Sequence, residues 1–456
     1  MLHRRDAMLQ LGALGLSSLA VPEMLAAERP TQRGKARSCI LLFLWGGPSQ
    51  PDMWDLKPDA PEGIRSPFRP IETNVPGMLV GEGLPLSSRV ADKYTIIRSM
   101  SHESNNHEPS VYHTLTGRRN PTLVVPANAR KRSDFPGVGA VVSSFTPPSG
   151  LPASVTIPQP VGHDGFNYAG TNAGFLGPRF DPMEVRQSAP GSNKTEGSHS
   201  LSLPPELTRA RLVSRHGLLK MIETEDRRFQ SSAPSLDAIR EQAYRMVASS
   251  EAKRAFDLDA EDPRLRDRYG RNEYGESFLL ARRLVEGGVR LVTATWLYFV
   301  PANQRILNVW DTHGGTADLG NADGVAMLKA DYCLPPFDRA YSALLEDLSS
   351  RGLLDETLVV TVGEFGRTPK INPNKGREHW GMCYSALMAG GGIRGGQIHG
   401  ASDKIGAFPR ENPVAPEDLL ATIYHALGIP PDSLIHDRQA RPYKITEGSP
   451  VLSLFG

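Results

Sequence analysis

Acidic and imidazole side chains recur where apolar runs of the sequence end. Asp311 and His313 stand two positions apart in the glycine-bounded segment WDTHGG, so both side chains can face one point. Glu364 follows the apolar run TLVVTV closely, and His379 lies 15 positions later in GREHWG. Carboxylate oxygen combined with imidazole nitrogen suits zinc or manganese, whereas calcium prefers oxygen alone. These four residues are therefore predicted to be metal ligands.

Each of these residues also has a structural alternative. Asp311 can cap its own loop beside a histidine that only packs, because Asp side chains commonly bond backbone N–H groups in turns. Glu364 can form an ion pair with Arg367, three positions further on. The metal interpretation is favoured because acidic or imidazole groups follow several separate apolar runs, and clustered carboxylates need cations nearby.

Three histidines crowd the segment 101–113, which follows another apolar run. Of these, His102 and His107 are predicted to be catalytic, as a general acid or as a further ligand. A solvated polar loop is the alternative. Asp52 and Asp55 follow the first apolar run, in GGPSQPDMWD. Asp52 is added to the predicted metal ligands, with turn capping as its alternative.

Two arginines are candidates for binding an anionic substrate. A guanidinium can form bidentate hydrogen bonds with such a group, and Arg367 and Arg377 both lie close to the predicted ligands. A solvated surface position is the alternative for both. If the reaction uses a protein nucleophile, its hydroxyl would come from Ser49, Ser104 or Ser110, and nothing in the sequence selects among them.

The apolar runs that precede these residues predict strands buried on both faces of a parallel sheet. The predicted strands are 38–45, 94–97, 289–296, 357–362 and 384–388. Helical patterns lie between them, at 206–229, 235–255, 274–286, 326–351 and 415–427. Strands alternating with helices predict a three-layer α/β/α sandwich with a mostly parallel central sheet, and ligands beyond the carboxyl ends of its strands.

Two Pro- and Ser-rich stretches, 146–160 and 180–205, are interpreted as surface excursions because they show no clear period. The highly charged helices within about 206–286 are interpreted as a helical insertion beside the sheet. Length alone allows one large domain or two ordinary ones. We expect a single domain over residues 36–456.

The N-terminus predicts export. Arg4 and Arg5 precede an uncharged, mostly apolar run at 7–21, and small residues follow at Ala26 and Ala27. This order is typical of a secretion signal of the twin-arginine type, so residues 1–30 are excluded from the fold. The run is too short for a stable membrane anchor. A periplasmic or extracellular protein that uses the twin-arginine export machinery is therefore expected, with an ordinary amphipathic helix as the alternative.

Composition excludes some other partners. The formal net charge is +1 and the charged fraction is 22%, so no overall field favours nucleic acid or an anionic membrane. The three cysteines provide neither a disulfide framework nor a paired Cys-x-x-Cys metal motif. We expect no nucleic-acid partner.

Five segments together resemble a bacterial domain-of-unknown-function family, number 1501: GGPSQPDMWDLKP, NNHEPSVYHTLTG, WDTHGG, VGEFGRTP and GREHWG. The resemblance covers nearly the whole chain after the signal. That family looks like a divergent branch of the alkaline phosphatase and sulfatase superfamily. The resemblance implies an alkaline phosphatase-like fold and an exported metal-dependent hydrolase of phosphate or sulfate esters, acting on a small anionic ester or on a sulfated or phosphorylated polymer.

This sequence departs from the superfamily pattern at several residues, and these departures restrict the reaction mechanism that the resemblance implies. His107 stands where a sulfatase has the Cys or Ser that becomes formylglycine, and Val111 replaces the supporting arginine. Glu364 and Phe365 replace an Asp-His pair. The resemblance therefore implies an altered metal centre, with water activated by the metal in place of formylglycine. The alternative is a non-catalytic exported binding protein that retains the superfamily fold.

Overall fold

The computed structural model describes residues 34–120, 130–163, 166–185, 208–226, 234–300 and 305–456. Residues Gly34–Gly456 form one compact unit. The signal segment predicted at residues 1–30 lies outside the described residues. Among the helices that are described, none has both the length and the apolar character needed to cross a bilayer.

A large central sheet organises the described part of the chain. Its strands are β1 (Ser38–Phe43), β2 (Tyr94–Met100), β3 (Ser154–Ile157), β4 (Met183–Glu184), β5 (Leu291–Thr295), β6 (Thr357–Val362), β7 (Tyr384–Ala389) and β8 (Gln397–His399). They lie in the order β8-β2-β7-β6-β1-β5-β3-β4. Strand β7 runs antiparallel to both of its neighbours, and every other pairing in the sheet is parallel. The predicted mostly parallel α/β sheet is confirmed.

Apolar runs place β1 and β6 at the centre of the sheet. All six residues of each strand are buried, as expected for parallel strands that are covered on both faces. Successive side chains of β1 alternate between two cores: Ile40 and Leu42 belong to one cluster, and Leu41 and Phe43 to the other. The sheet therefore separates two apolar layers, which makes the architecture three-layered.

Helices cover both faces. They are α1 (Gln50–Met53), α2 (His107–Thr116), α3 (Val138–Ser144), α4 (Arg209–Asp226), α5 (Pro234–Ala248), α6 (Ser250–Phe256), α7 (Pro263–Tyr269), α8 (Glu273–Glu286), α9 (Gly324–Lys329), α10 (Leu334–Ser350) and α11 (Pro416–Ala426). Helices α8 and α10 contribute to the core with Ile40, and α2, α3 and α11 contribute to the core with Phe43. Helix α8, expected within the helical insertion, is thus part of a layer, because its apolar face packs on the sheet.

Some expectations about elements are corrected by the structure. The stretches 146–160 and 180–205 are not only surface excursions, since β3 lies within the first, with all four of its residues buried, and β4 lies within the second. The single helices predicted at 235–255 and 326–351 are each divided, the first into α5 and α6 and the second into α9 and α10. Proline is tolerated in the first turn of a helix but not in its interior, so Pro335 and Pro336 mark the start of α10.

The described residues also form six short antiparallel ribbons that are separate from the central sheet. One of them, which we call the site ribbon, pairs Gly366–Arg367 with His379–Trp380. The others pair Pro70–Glu72 with Leu79–Gly81, Gly162–His163 with Phe166–Asn167, Tyr298–Phe299 with Ile306–Leu307, Ala401–Ser402 with Pro409–Glu411, and Leu434–His436 with Pro442–Lys444. The site ribbon matters most for function, because it follows β6 directly.

Candidate metal centre

Four segments bring imidazole and carboxylate groups together at the carboxyl edge of the sheet. A short loop after β2 leads into α2, whose first residue is His107. Glu364 follows the end of β6, and His379 lies on the site ribbon. Asp311 belongs to the segment after β5. This is the edge at which ligands are expected in a parallel α/β sheet.

Asp311 is the centre of the cluster. Its Oδ2 atom lies 3.2 Å from His107 Nε2 and 3.5 Å from His313 Nε2. Its Oδ1 atom lies 3.0 Å from His379 Nε2. One ligand atom each from His107, Asp311 and His379 lie within 4.8 Å of one another, close enough to share an ion. The structure thus brings together three of the predicted ligands, together with His107, which was predicted to be catalytic or a further ligand.

Glu364 contacts the opposite nitrogen of His107. Its Oε1 atom lies 2.6 Å from His107 Nδ1, and the backbone N–H of Gly46 donates to both carboxylate oxygens, at 2.9 and 3.2 Å. Glu364 is fully buried. Because a carboxylate only accepts hydrogen bonds, Nδ1 carries the hydrogen and Nε2 is left to face Asp311. The structure therefore places Glu364 where it orients a ligand, and not within the set of converging ligand atoms.

Backbone carbonyls orient the other two imidazoles in the same way. His379 Nδ1 lies 2.9 Å from the carbonyl oxygen of Asn105, and His313 Nδ1 lies 2.8 Å from that of Gly314. A carbonyl accepts but cannot donate, so each Nδ1 carries its hydrogen. Nε2 is consequently the nitrogen that faces Asp311 in all three histidines.

The donor set fits a divalent transition-metal ion. In their neutral form, the three imidazoles each present a lone pair at Nε2 to the carboxylate of Asp311. Lone pairs that face an anion repel it, so a proton or a cation must lie between the groups. Imidazole nitrogen and carboxylate oxygen are the ligand types that zinc and manganese share in proteins.

The pKa values of the cluster indicate which side chains hold a proton where a metal ion would bind. Burial opposes charge on His107, but hydrogen bonds with Asp311 and Glu364 outweigh it and raise the pKa of His107 to about 9. Burial also works to raise the pKa of Asp311, yet the charge of Arg367 and the hydrogen bonds from the imidazoles hold that pKa well below its usual value. A hydrogen bond with Asp311 raises the pKa of His313. A metal ion would therefore bind in exchange for a proton.

Neither predicted substrate-binding arginine is open to a substrate. Arg367 and Arg377 are 0% and 2% exposed. The N–H groups of Arg367 donate to Asp311 and to the carbonyls of Gly46, Gly47, Trp310 and Arg377. Those of Arg377 donate to both oxygens of Asp52 and to the carbonyls of Ile64, Thr368 and Pro369. A guanidinium has five N–H donors, so both groups are saturated, and binding an ester would break an existing bond.

Asp52 is engaged apart from the cluster around Asp311. Its two oxygens lie 2.9 Å from Nε and 3.1 Å from Nη2 of Arg377, which is a bidentate ion pair. The hydroxyl groups of Ser49 and Ser66 also donate to it, and its side chain is 5% exposed. With its oxygens committed in this way, Asp52 is left out of the metal ligands proposed below.

His102 supports the backbone of the site. Its Nδ1 accepts from the backbone N–H of Ser104 at 3.2 Å, so Nε2 carries the hydrogen and donates to the carbonyl of Glu364 at 2.6 Å. Burial lowers the pKa of His102 to about 4. A neutral, buried imidazole with both nitrogens engaged positions Glu364 and has no lone pair left for an ion.

The three candidate nucleophiles have other partners. Ser49 donates to Asp52, and the hydroxyl of Ser110 lies 3.4 Å from the carbonyl of Ser104. The hydroxyl of Ser104 lies 3.5 Å from the carbonyl of Asn106. Among the described contacts, none of these hydroxyls bonds to the cluster around Asp311.

Two residues at the site were missed by sequence reasoning. Asn308 Nδ2 lies 3.3 Å from His107 Nε2 and 3.4 Å from Asp311 Oδ2, which adds a neutral donor. The ring of Phe365 stacks on His379 with centroids 4.6 Å apart, and it contacts His107 at 4.9 Å. Phe365 could have been found from its place directly after Glu364, whereas no signal in the sequence distinguishes Asn308.

Fold and site together define an α/β protein with a histidine and aspartate cluster at the carboxyl edge of a mostly parallel sheet. The chain belongs to the family described as "Protein of unknown function (DUF1501)", whose model matches residues 36–455. The membership predicted from the sequence segments is confirmed. No curated protein matches the chain in sequence.

Several solved structures are similar to the chain. The phosphonate monoester hydrolase of Silicibacter pomeroyi is 14% identical, with a TM-score of 0.38 over 91% of this chain and 76% of that one. Ps i-CgsB is 11% identical, with a TM-score of 0.40 over 90% of this chain and 74% of that one. A 2-O GAG sulfatase is 10% identical, with a TM-score of 0.39 over 91% of this chain and 74% of that one. The function proposed below is argued from the site geometry.

Proposed function

We propose that this protein is an exported, metal-dependent hydrolase of phosphate or sulfate esters. One observation carries the proposal: three imidazoles, each with its Nδ1 hydrogen-bonded to an acceptor, converge their Nε2 atoms on the carboxylate of Asp311. Imidazole nitrogens and a carboxylate that meet at one point are the donor types with which proteins hold a transition-metal ion. The N-terminal arginine pair and apolar run support the export part of the proposal.

The proposed ligands are His107 and His379 through Nε2, and Asp311 through its carboxylate, with His313 as the fourth. Zinc or manganese is the proposed ion, since the set combines nitrogen and oxygen. An ion at this position would supply Lewis-acid chemistry, polarising an ester oxygen and lowering the pKa of a water molecule.

The chain's own residues prepare the site for this reaction. Glu364 holds His107 in one tautomer, and Phe365 covers the imidazoles of His107 and His379 with an apolar ring that excludes water. Asn308 donates an N–H to Oδ2 of Asp311 and so helps to hold that carboxylate. His313 has the most exposed side chain of the cluster, at 38%, so the proposed fourth ligand lies on the open side of the centre. The proposed substrate is a small anionic ester or a sulfated or phosphorylated polymer.

A second candidate function has support from one observation. Arg367 and Arg377 are both saturated, so neither is available to bind the charge of an ester. A non-catalytic exported binding protein with a structural metal would have no need for such a group.

Metal analysis and a substrate panel separate the two functions. Purified protein is expected to contain a divalent metal and to hydrolyse an aryl phosphate, a phosphodiester or an aryl sulfate until a chelator is added. Asp311→Asn keeps the side-chain volume but removes the central charge, so it should lose metal and turnover while it keeps the circular-dichroism spectrum of the wild type. Metal without chelator-sensitive turnover would support the binding function, and unchanged metal content in Asp311→Asn would remove Asp311 from the centre.

A further inference from the structure

Arg367 joins the segments that carry Asp311 and His379 to the turn after β1. Its Nη1 lies 2.7 Å from Asp311 Oδ1. The same guanidinium donates to the carbonyls of Gly46 and Gly47 after β1, of Trp310 beside Asp311, and of Arg377 next to the site ribbon. We propose that Arg367 is a positioning residue that sets the metal affinity of the centre by fixing the carboxylate of Asp311. This inference rests on the proposed metal centre.

The contact determines which oxygen of Asp311 faces which ligand. Arg367 and His379 occupy the side of Oδ1, while Oδ2 faces His107 and His313. A carboxylate held in this way cannot rotate without breaking a charge-assisted hydrogen bond. The ligand atoms are therefore already aligned before an ion arrives, and the binding energy is not spent on ordering them.

Lysine cannot reproduce this arrangement. Its ammonium group is a compact charge with three donors, whereas the planar guanidinium of Arg367 makes five contacts that diverge toward separate segments. Arg367→Lys keeps the charge and loses contacts with the backbone and the fixed direction of the bond to Asp311.

Arg377 provides a matched control. It is as buried as Arg367 and is equally saturated, and its carboxylate partner is Asp52 instead of Asp311. Arg377→Lys should therefore lower the free energy of unfolding by a similar amount without touching the ligand set.

The experiment measures zinc and manganese binding to metal-free wild type, Arg367→Lys and Arg377→Lys by calorimetry, together with urea unfolding of each. Arg367→Lys is expected to weaken metal binding by about 10- to 100-fold, the range found for residues that orient metal ligands. Arg377→Lys should stay within about threefold of the wild type. Arg367→Gln and Arg377→Gln form a second pair if a lysine variant does not fold, with the rise in Tm on adding zinc as their readout.

The outcomes are distinct. Equal losses of metal affinity in the two variants, or no loss in Arg367→Lys, would overturn the role of Arg367 and leave the metal centre standing. A wild type that binds neither ion would overturn the proposed function and this inference with it.

Discussion

A single carboxylate decides which nitrogen of His107 is available. Glu364 bonds Nδ1 at 2.6 Å, and Nε2 is the atom that remains beside Asp311. Histidine ligands commonly depend on such a partner, because it fixes both the tautomer and the ring plane. The chain contains a second pair with nearly the same geometry, in which Glu417 lies 2.7 Å from His113 Nε2, between α2 and α11.

We predict that Glu364→Gln weakens metal binding about tenfold or more, because glutamine keeps the shape of the side chain but is a weaker acceptor for His107 Nδ1. Glu417→Gln is the matched control, since it makes the same change to a pair that lies outside the cluster. Calorimetric titration with zinc would measure both variants. If the two substitutions weaken binding equally, the loss reflects general destabilisation and not the orientation of His107.

The contacts of individual side chains are the feature of the structure that is hardest to predict from the sequence. The spacing of Asp311, His313 and His379 was enough to predict that they meet, because each follows a predicted strand or lies in a glycine-bounded loop. The partners of Asp52 and Arg377 could not be predicted, since two residues far apart in sequence form that ion pair inside the fold. A single sequence shows which groups carry charge, but not which opposite charge neutralises each of them.

Among the elements, the turn after β1 is tightly constrained. Gly47 has a φ of +84°, and a Cβ atom there would lie 2.5 Å from the ring of Phe365. That ring in turn stacks on His379. The turn therefore needs a residue without a side chain for two separate reasons, its backbone conformation and its close approach to the site.

Gly47→Ala should cost more than the backbone strain alone. Gly63 is the matched control, because its φ is +82° and an added Cβ meets nothing within 4 Å. We expect Gly63→Ala to lower the free energy of unfolding by about 1–2 kcal/mol through its left-handed conformation. Gly47→Ala should lose a further ~1–3 kcal/mol from overpacking against Phe365 and should also weaken zinc binding.

Urea unfolding and zinc titration of both alanine variants test this expectation. The expectation would be contradicted if Gly47→Ala and Gly63→Ala lost equal stability and zinc affinity were unchanged in Gly47→Ala. Crowding of Phe365 would then have no effect on the imidazoles.

Strands and helices can be predicted from the sequence where a single hydrophobic period dominates the segment. The bounds of β6 could be predicted because its run of apolar and β-branched residues coincides with the strand. Strand β3 could not be predicted because it has only four residues, between Pro152 and Pro158, which is too short a segment to show a period. Helix α10 was merged with α9 because the apolar spacing continues through the break that Pro335 and Pro336 impose.

For the whole molecule, buried ionisable groups link stability to pH. His102 is 5% exposed and hydrogen-bonds to the backbone at Glu364. Burial lowers its pKa from 6.5 to about 4 in the folded state. The unfolded chain therefore binds a proton near pH 6.5, whereas the folded chain binds it only near pH 4.

We predict that the stability contributed by neutral His102 is fully present above pH 6.5 and is lost as the pH falls from 6.5 toward 4. The linkage amounts to on the order of 3 kcal/mol, at ~1.4 kcal/mol for each pKa unit. His102→Gln can keep a donor toward the carbonyl of Glu364 but does not titrate, so its free energy of unfolding should fall less over this range. Urea unfolding at pH 7 and pH 5 would measure the difference, and identical pH dependence in the two proteins would contradict it.

The positions of the proposed ligands along the chain determine when an ion could bind. His107 and Asp311 are 204 positions apart, and 68 positions separate Asp311 from His379. A partly assembled polypeptide holds these donors on segments that have not yet met, so it has no chelating pocket to offer. The proposed ion could bind only after the segments that carry His107, Asp311 and His379 have met in the folded chain, so a misassembled copy would lack it.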